Sequence, residues 1–233
     1  MSNKRASQDR KARLAEIQKQ QQAKERRVVA GIIVGCLVLL VGLGAVVAYA
    51  INDANSKKIP NLGVSLAAAQ CDPVTTDTGG GSGQHVGPGT NTPNQTSVKY
   101  DTVPPSHGPH FIQPDVSGRD FYTASDRPVV ETLVHNLEHG YTILWYDGTK
   151  VKDTTLLKDI ADQGNKLPDS AGKFKVVEWD NSRGAFPAGK PYALVHWAKD
   201  AGHRQLCGGL SGEAVVDFVK KYPMSDTQEP GGA

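Results

Sequence analysis

The sequence predicts an α+β fold: a small mixed β-sheet with helices packed on it, preceded by one transmembrane helix. Three observations carry this. Residues 28–51 contain no charged side chain; residues 130–139 form a short amphipathic segment that stops at Gly140 and runs straight into the apolar 141–146; and the remaining periodicities complete the order helix, strand, helix, strand, strand, helix.

The amino-terminal part sets topology. Residues 1–27 hold nine basic side chains against Asp9, Glu16 and Glu25, a net of +6. The 24 uncharged residues of 28–51 make about 36 Å of helix, enough to cross a hydrocarbon core of about 30 Å. Basic residues concentrated before the span place the N-terminus in the cytoplasm and everything after Ile51 outside. A cleaved signal peptide is the competing reading, because Ala48-Tyr49-Ala50 resembles a cleavage site. The charged region is too long for one, and the apolar run exceeds the usual stretch of about 7–15 residues. With the chain at +2 in total, residues 28–233 carry −4, which offers no basic surplus for nucleic acid. The partners expected are the lipid bilayer, through residues 1–27 and the span, and a membrane protein of the cell envelope.

Cys36 lies within the span, whereas Cys71 and Cys207 are both outside, where an oxidising compartment permits a disulfide. Such a bond closes a loop of more than a hundred residues. In the chain-entropy description that is worth on the order of 4–5 kcal/mol.

The outer portion divides by composition into a Gly/Pro/Thr-rich connector (52–97), a folded domain (98–222) and a flexible C-terminal tail (223–233). Residues 98–100 read as a brief extended piece. Pro104, Pro105 and Pro109 then stiffen a loop that presents His107 and His110. Helical periodicity follows over 154–163, and strands over 174–179 and 192–197. The last helix spans 211–222, with Ser211 as N-cap and Ala214, Val215, Phe218 and Val219 inward.

Chemistry concentrates in 130–139. At about 100° per residue, Val130, Leu133, Val134 and Leu137 share one face, and Glu131, His135, Glu138 and His139 a neighbouring one. His135 and His139 stand at i and i+4, a spacing that lets two ring nitrogens meet one ion. The string from His135 to His139 also fits H-x-x-E-H, in which Glu138 is the general base of a metallohydrolase, but that reading needs a longer helix than one ending at Gly140. Two readings stay open. In one, His110, His135, Glu138 and His139 hold zinc or copper(II), with His107 and Glu131 as additional candidates. In the other the same side chains hydrogen-bond the proline-rich loop and cement it to the helix without an ion. No nucleophile stands beside a base and no glycine-rich loop suits phosphate, so the pattern favours a non-catalytic protein over an enzyme. His196, mid-strand, and His203, in a loop near Cys207, read as structural.

The runs Pro104-Pro105-Ser106-His107-Gly108-Pro109-His110 and Leu133-Val134-His135-Asn136-Leu137-Glu138-His139-Gly140 resemble the motifs of a bacterial, mainly actinobacterial, family catalogued as domain of unknown function 3105. The resemblance covers roughly residues 85–222 and implies a single-pass membrane protein with an extracytoplasmic domain. It places the family's histidines on His85, His110, His135 and His139, and its glutamate on Glu138. His107 departs from the pattern, standing where the family has serine. The combined expectation is an accessory protein of the cell envelope whose His/Glu cluster binds a divalent metal, or else a non-catalytic interaction domain whose cluster is purely hydrogen-bonded.

Overall fold

The computed structural model of the chain describes residues 2–78 and 83–232, so residues 79–82 of the expected connector and Ala233 of the expected tail lie outside the described residues. It consists of two units, Met1–Ala54 and Asn55–Ala233. The first is one helix, α1 (Ser2–Ser56), whose segment Arg13–Ser56 is long and apolar enough to cross a membrane. Its apolar side chains are bare: Leu39, Val41 and Tyr49 are each more than 70% exposed. Apolar surface of this extent, left bare, is the kind that marks protein–protein or membrane contact.

The second unit contains, in chain order, α2 (Leu66–Ala69), β1 (Thr75–Asp77), β2 (His85–Val86), β3 (His110–Phe111), β4 (Phe121–Tyr122), α3 (Val130–Glu138), β5 (Thr142–Tyr146), α4 (Thr155–Asn165), β6 (Phe174–Glu178), β7 (Tyr192–Trp197), β8 (Gly202–Cys207) and α5 (Gly212–Lys221). Six strands form one mixed sheet in the order β1-β8-β7-β5-β6-β4, while β2 and β3 pair separately, in parallel. Central β5 runs parallel to β6 and antiparallel to β7.

The period of two along β5 explains the layering. Ile143 and Trp145 join Val177, Val195 and Trp197 on one face, packed against Val130, Leu133, Val134 and Leu137 of α3. Leu144 and Tyr146 join Val176 and Leu194 on the other, against Leu157 and Ile160 of α4 and Val215 and Phe218 of α5. With both faces covered, every residue of β5 is buried. Each such aliphatic or aromatic side chain contributes about 1.5–3 kcal/mol through its burial. The α+β class, the three C-terminal-half helices and strands β5, β6 and β7 are therefore where periodicity places them. Ser211 caps α5 by accepting from the Ala214 amide.

Elsewhere the structure departs from the compositional boundaries. The stretch expected as connector is part of the folded unit: Ile59 and Leu62 enter the core, Ala69 is fully buried, and β1 pairs with β8. Strand β8 occupies what reads as a loop around His203, because its polar His203, Arg204 and Gln205 mask the alternation. The extended piece at 98–100 joins no strand. The segment expected as a loose tail is also held. Thr227 is fully buried and its hydroxyl donates toward the carbonyls of Leu137, Glu138 and Trp197. Cys71 and Cys207 form a disulfide across a sequence separation of 136, continuing the β1–β8 pairing toward α2.

Candidate metal centre

The helix that carries the site is fixed at its end by backbone geometry. Gly140 takes φ +89°, and the Gly140 and Tyr141 amides donate to Leu137 and Asn136 at 3.0 and 3.1 Å, a Schellman ending. A Cβ at this position would lie 2.4 Å from the Met224 carbonyl oxygen, so glycine is required twice over. Leu133, Val134 and Leu137 anchor α3 on the sheet with no exposed surface. That anchoring turns His135 and Glu138 toward the loops. Between them Asn136 clamps the loop: its Oδ1 accepts from the Asp115 amide and its Nδ2 donates to the Asp115 carbonyl, each at 3.0 Å.

The short parallel pair β2–β3 sets His85 opposite His110 in register. These two meet α3 so that His85, His110, His135 and Glu138 each place one donor atom within 4.8 Å of all the others. The rings are 4.7–5.0 Å apart, centroid to centroid. His110 has no exposed surface, Glu138 is 2% exposed and His135 4%, while the His85 side chain reaches solvent.

Backbone carbonyls choose which nitrogen faces inward. His110 Nδ1 donates to Gly108 O at 2.8 Å, and His135 Nδ1 to Phe111 O at 2.6 Å. Both imidazoles therefore aim Nε2 into the cluster, the arrangement by which outer partners orient metal-binding histidines. Glu138 Oε1 accepts from the Gly83 amide at 2.6 Å. Its Oε2 stands 2.8 Å from His110 Nε2 and 3.9 Å from His85 Nε2. These three atoms are nonetheless buried without an aligned hydrogen bond.

Electrostatics favour the ligand forms. Burial lowers the pKa of His135 to about 4; the Phe111 carbonyl opposes this, and the neighbouring His110, His139 and His85 add to it. Burial works to raise the Glu138 carboxyl, yet the approach of His110, the Gly83 amide and His135 outweigh it and hold Glu138 below the usual range. Near neutral pH the pair is a neutral imidazole and a carboxylate.

The other expected residues fall into distinct places. His139 Nε2 lies 3.1 Å from His135 Nε2 and 3.4 Å from Glu229 Oε2, at the edge of the four-residue set. Glu138, His139 and Glu229 form a second group of converging donors. His107 packs beside Trp197, 5.9 Å between centroids, and belongs to neither group. Glu131 is fully buried and is engaged by Arg183 at 2.7 and 2.9 Å and by the Val98 amide at 2.8 Å, a structural ion pair that locks the incoming chain to α3. His196 is buried between Thr142 and the Asp226 carbonyl, and burial lowers its pKa. His203 stacks on Tyr222 at 4.0 Å. Two contributors escape the motif reading. Gly83 hides in a glycine-rich run; a Cβ there would lie 1.9 Å from His110 Cε1 and 2.3 Å from Glu138 Oε1. Glu229 sits in a segment whose composition suggests only a tail.

Fold and cluster together define an α+β domain with a three-histidine, one-glutamate constellation in which only His85 reaches solvent, preceded by a helix long and apolar enough to span a membrane. The chain belongs to the family described as protein of unknown function DUF3105, whose profile matches residues 91–233. His85 and Gly83 stand just before the matched region. No curated protein and no solved structure matches the chain.

Proposed function

We propose that the domain is a divalent-metal-binding module, with zinc or copper(II) held by His85, His110, His135 and Glu138. The observation that carries this is the set of three buried, unaligned atoms, His85 Nε2, His110 Nε2 and Glu138 Oε2, converging with His135 Nε2 on one small volume. Even with the 2.8 Å His110–Glu138 contact counted as a hydrogen bond, His85 Nε2, 3.9 Å from Glu138 Oε2, stays buried without a partner, at about 1–3 kcal/mol. A cation placed among the four satisfies all of them together. Three imidazoles and one carboxylate suit zinc or copper(II). Copper(I) is disfavoured, since no thioether or free thiol is among the donors. Four protein donors make a closed set, which fits a structural or carrier site better than a catalytic one.

The apolar helix serves as a membrane anchor in this reading. The basic residues before the span put the N-terminus in the cytoplasm and the module outside, in keeping with its disulfide. The role is accessory, within the cell envelope and beside a membrane partner.

The test is elemental analysis of the full chain, purified in detergent without affinity tag or chelator, beside a His110→Ala/His135→Ala variant checked for folding by circular dichroism. The expected result is stoichiometric zinc or copper in the native protein and its loss from the folded variant. Absence of metal from the native protein, persisting after exposure to zinc or copper(II), overturns the proposal and leaves the hydrogen-bonded cluster as the reading.

A further inference from the structure

The inner set includes Glu138. Glu138 also converges with His139 and Glu229, and these three residues again place donor atoms within 4.8 Å of one another. We infer that Glu138, His139 and Glu229 form a second cation position, more open than the first and bridged to it by the Glu138 carboxylate. The inference rests on the metal reading of the inner set and extends it to a two-ion centre.

Three observations support it. First, Glu138 is common to both sets, and its side chain is only 2% exposed. A carboxylate has two oxygens and bridges two ions readily when they are about 3.5–4 Å apart. Second, His135 Nε2 and His139 Nε2 face each other at 3.1 Å. The Phe111 carbonyl has already claimed the His135 Nδ1 proton, so the His135 lone pair points at His139. The two nitrogens share a hydrogen bond at this separation, and with an ion present each can turn its lone pair to it. Third, Glu229 is delivered to the site. Its amide donates to the Glu138 carbonyl at 3.0 Å, and Lys173 Nζ binds the carbonyls of His139, Pro230 and Gly232 at 2.8, 3.1 and 2.8 Å. Lys173 thus spends its donors on backbone, and the Glu229 carboxylate is left to approach His139 at 3.4 Å.

The two positions differ in chemistry. The inner one offers three imidazoles and a shared carboxylate, whereas the outer offers one imidazole and two carboxylates, a harder set. The Glu229 side chain is 58% exposed, so the outer ion completes its coordination with water and exchanges more readily.

The test is a Zn²⁺ titration of the metal-free full chain in detergent, by calorimetry with elemental analysis after desalting, for the native protein, Glu229→Gln and His110→Ala. Glu229 is exposed, so its substitution leaves folding intact. The expected result is two equivalents in the native protein and one in Glu229→Gln, whose remaining site keeps its affinity within about threefold. The lost site weakens by more than about 100-fold, beyond what outer-sphere partners cost. His110→Ala loses the tighter event instead. One equivalent in the native protein that persists in Glu229→Gln overturns the second position and leaves the inner one standing. Two equivalents undiminished in Glu229→Gln remove Glu229 from the site and overturn the assignment. No zinc in the native protein overturns the second position, and the inner reading falls with it only if copper(II) is not taken up either.

Discussion

Gly83→Ala is the sharpest probe of how the cluster is built. The added methyl would stand 1.9 Å from His110 Cε1 and 2.3 Å from Glu138 Oε1, both far inside contact distance. Neither neighbour can yield easily: His110 has no exposed surface and is tied to Gly108, and Glu138 is 2% exposed. Overpacking of this kind costs about 1–3 kcal/mol. The amide at 83 also moves away from Glu138 Oε1, which it meets at 2.6 Å; a hydrogen bond to a charged group contributes about 1.5–3 kcal/mol. Alanine restricts the unfolded chain and returns about 0.4–1 kcal/mol. The net destabilisation is about 1.5–5.5 kcal/mol. Urea unfolding of the chelator-treated full chain in detergent, followed by tryptophan fluorescence, reads it directly. With a slope of about 2 kcal/mol/M, the midpoint falls by about 0.8–2.8 M. Zinc affinity measured on the same variant drops as well, because two donors of the inner set are displaced together. A midpoint within about 0.2 M of the native one, with unchanged zinc binding, refutes the placement of residue 83 over His110 and Glu138.

Two further predictions concern buried charges away from the cluster. Burial works to raise the Asp115 carboxyl, but hydrogen bonds from Tyr122, Lys175 and Ser117 outweigh it and bring its pKa from 3.8 to about 2. Because the folded value is the lower one, this contribution, on the order of 2 kcal/mol, is complete above about pH 4 and is lost as pH falls toward 2. The stability difference between native protein and Asp115→Asn, followed from about pH 5 to pH 2, should shrink by that amount; a flat difference refutes it. Arg183→Met strips the buried Glu131 of the guanidinium nitrogen that reaches both its oxygens, and the expected loss is about 3 kcal/mol with metal content unchanged. An unchanged unfolding midpoint contradicts a structural Glu131, and loss of metal contradicts its separation from the site.

How much of this the sequence discloses depends on the range of the interaction. Helix α3 is legible because its apolar residues recur every three to four positions and Gly140 stops it; the same applies to α5 with its Ser211 cap. The paired His135 and His139 follow from helix geometry alone. His110 is marked as a candidate by the rigid loop around it. His85 has no local signal and is reached only through the resemblance, since what places it is a two-residue pairing with β3. The absence of a side chain at Gly83 matters because of Glu138, 55 residues away. Strand β8 and the 227–232 segment hide for a related reason: their polar residues are satisfied by distant partners that composition cannot show.

The convergence of the donors also shows why loop and helix must be considered together. A histidine offers two nitrogens, and α3 by itself does not decide which one His135 presents. The decision comes from Phe111, whose carbonyl takes Nδ1, just as Gly108 decides for His110. Those acceptors are available because the loop does not continue into regular structure: Pro109 has no amide to offer, and the β2–β3 pairing extends for only two residues. Asn136 then fixes the far end of the same loop at Asp115, on the opposite side of the helix turn from Glu138. A change that loosened this loop would leave all four donors in the chain and still scatter them. On this argument the proline-rich run is as much a component of the centre as the side chains that meet there.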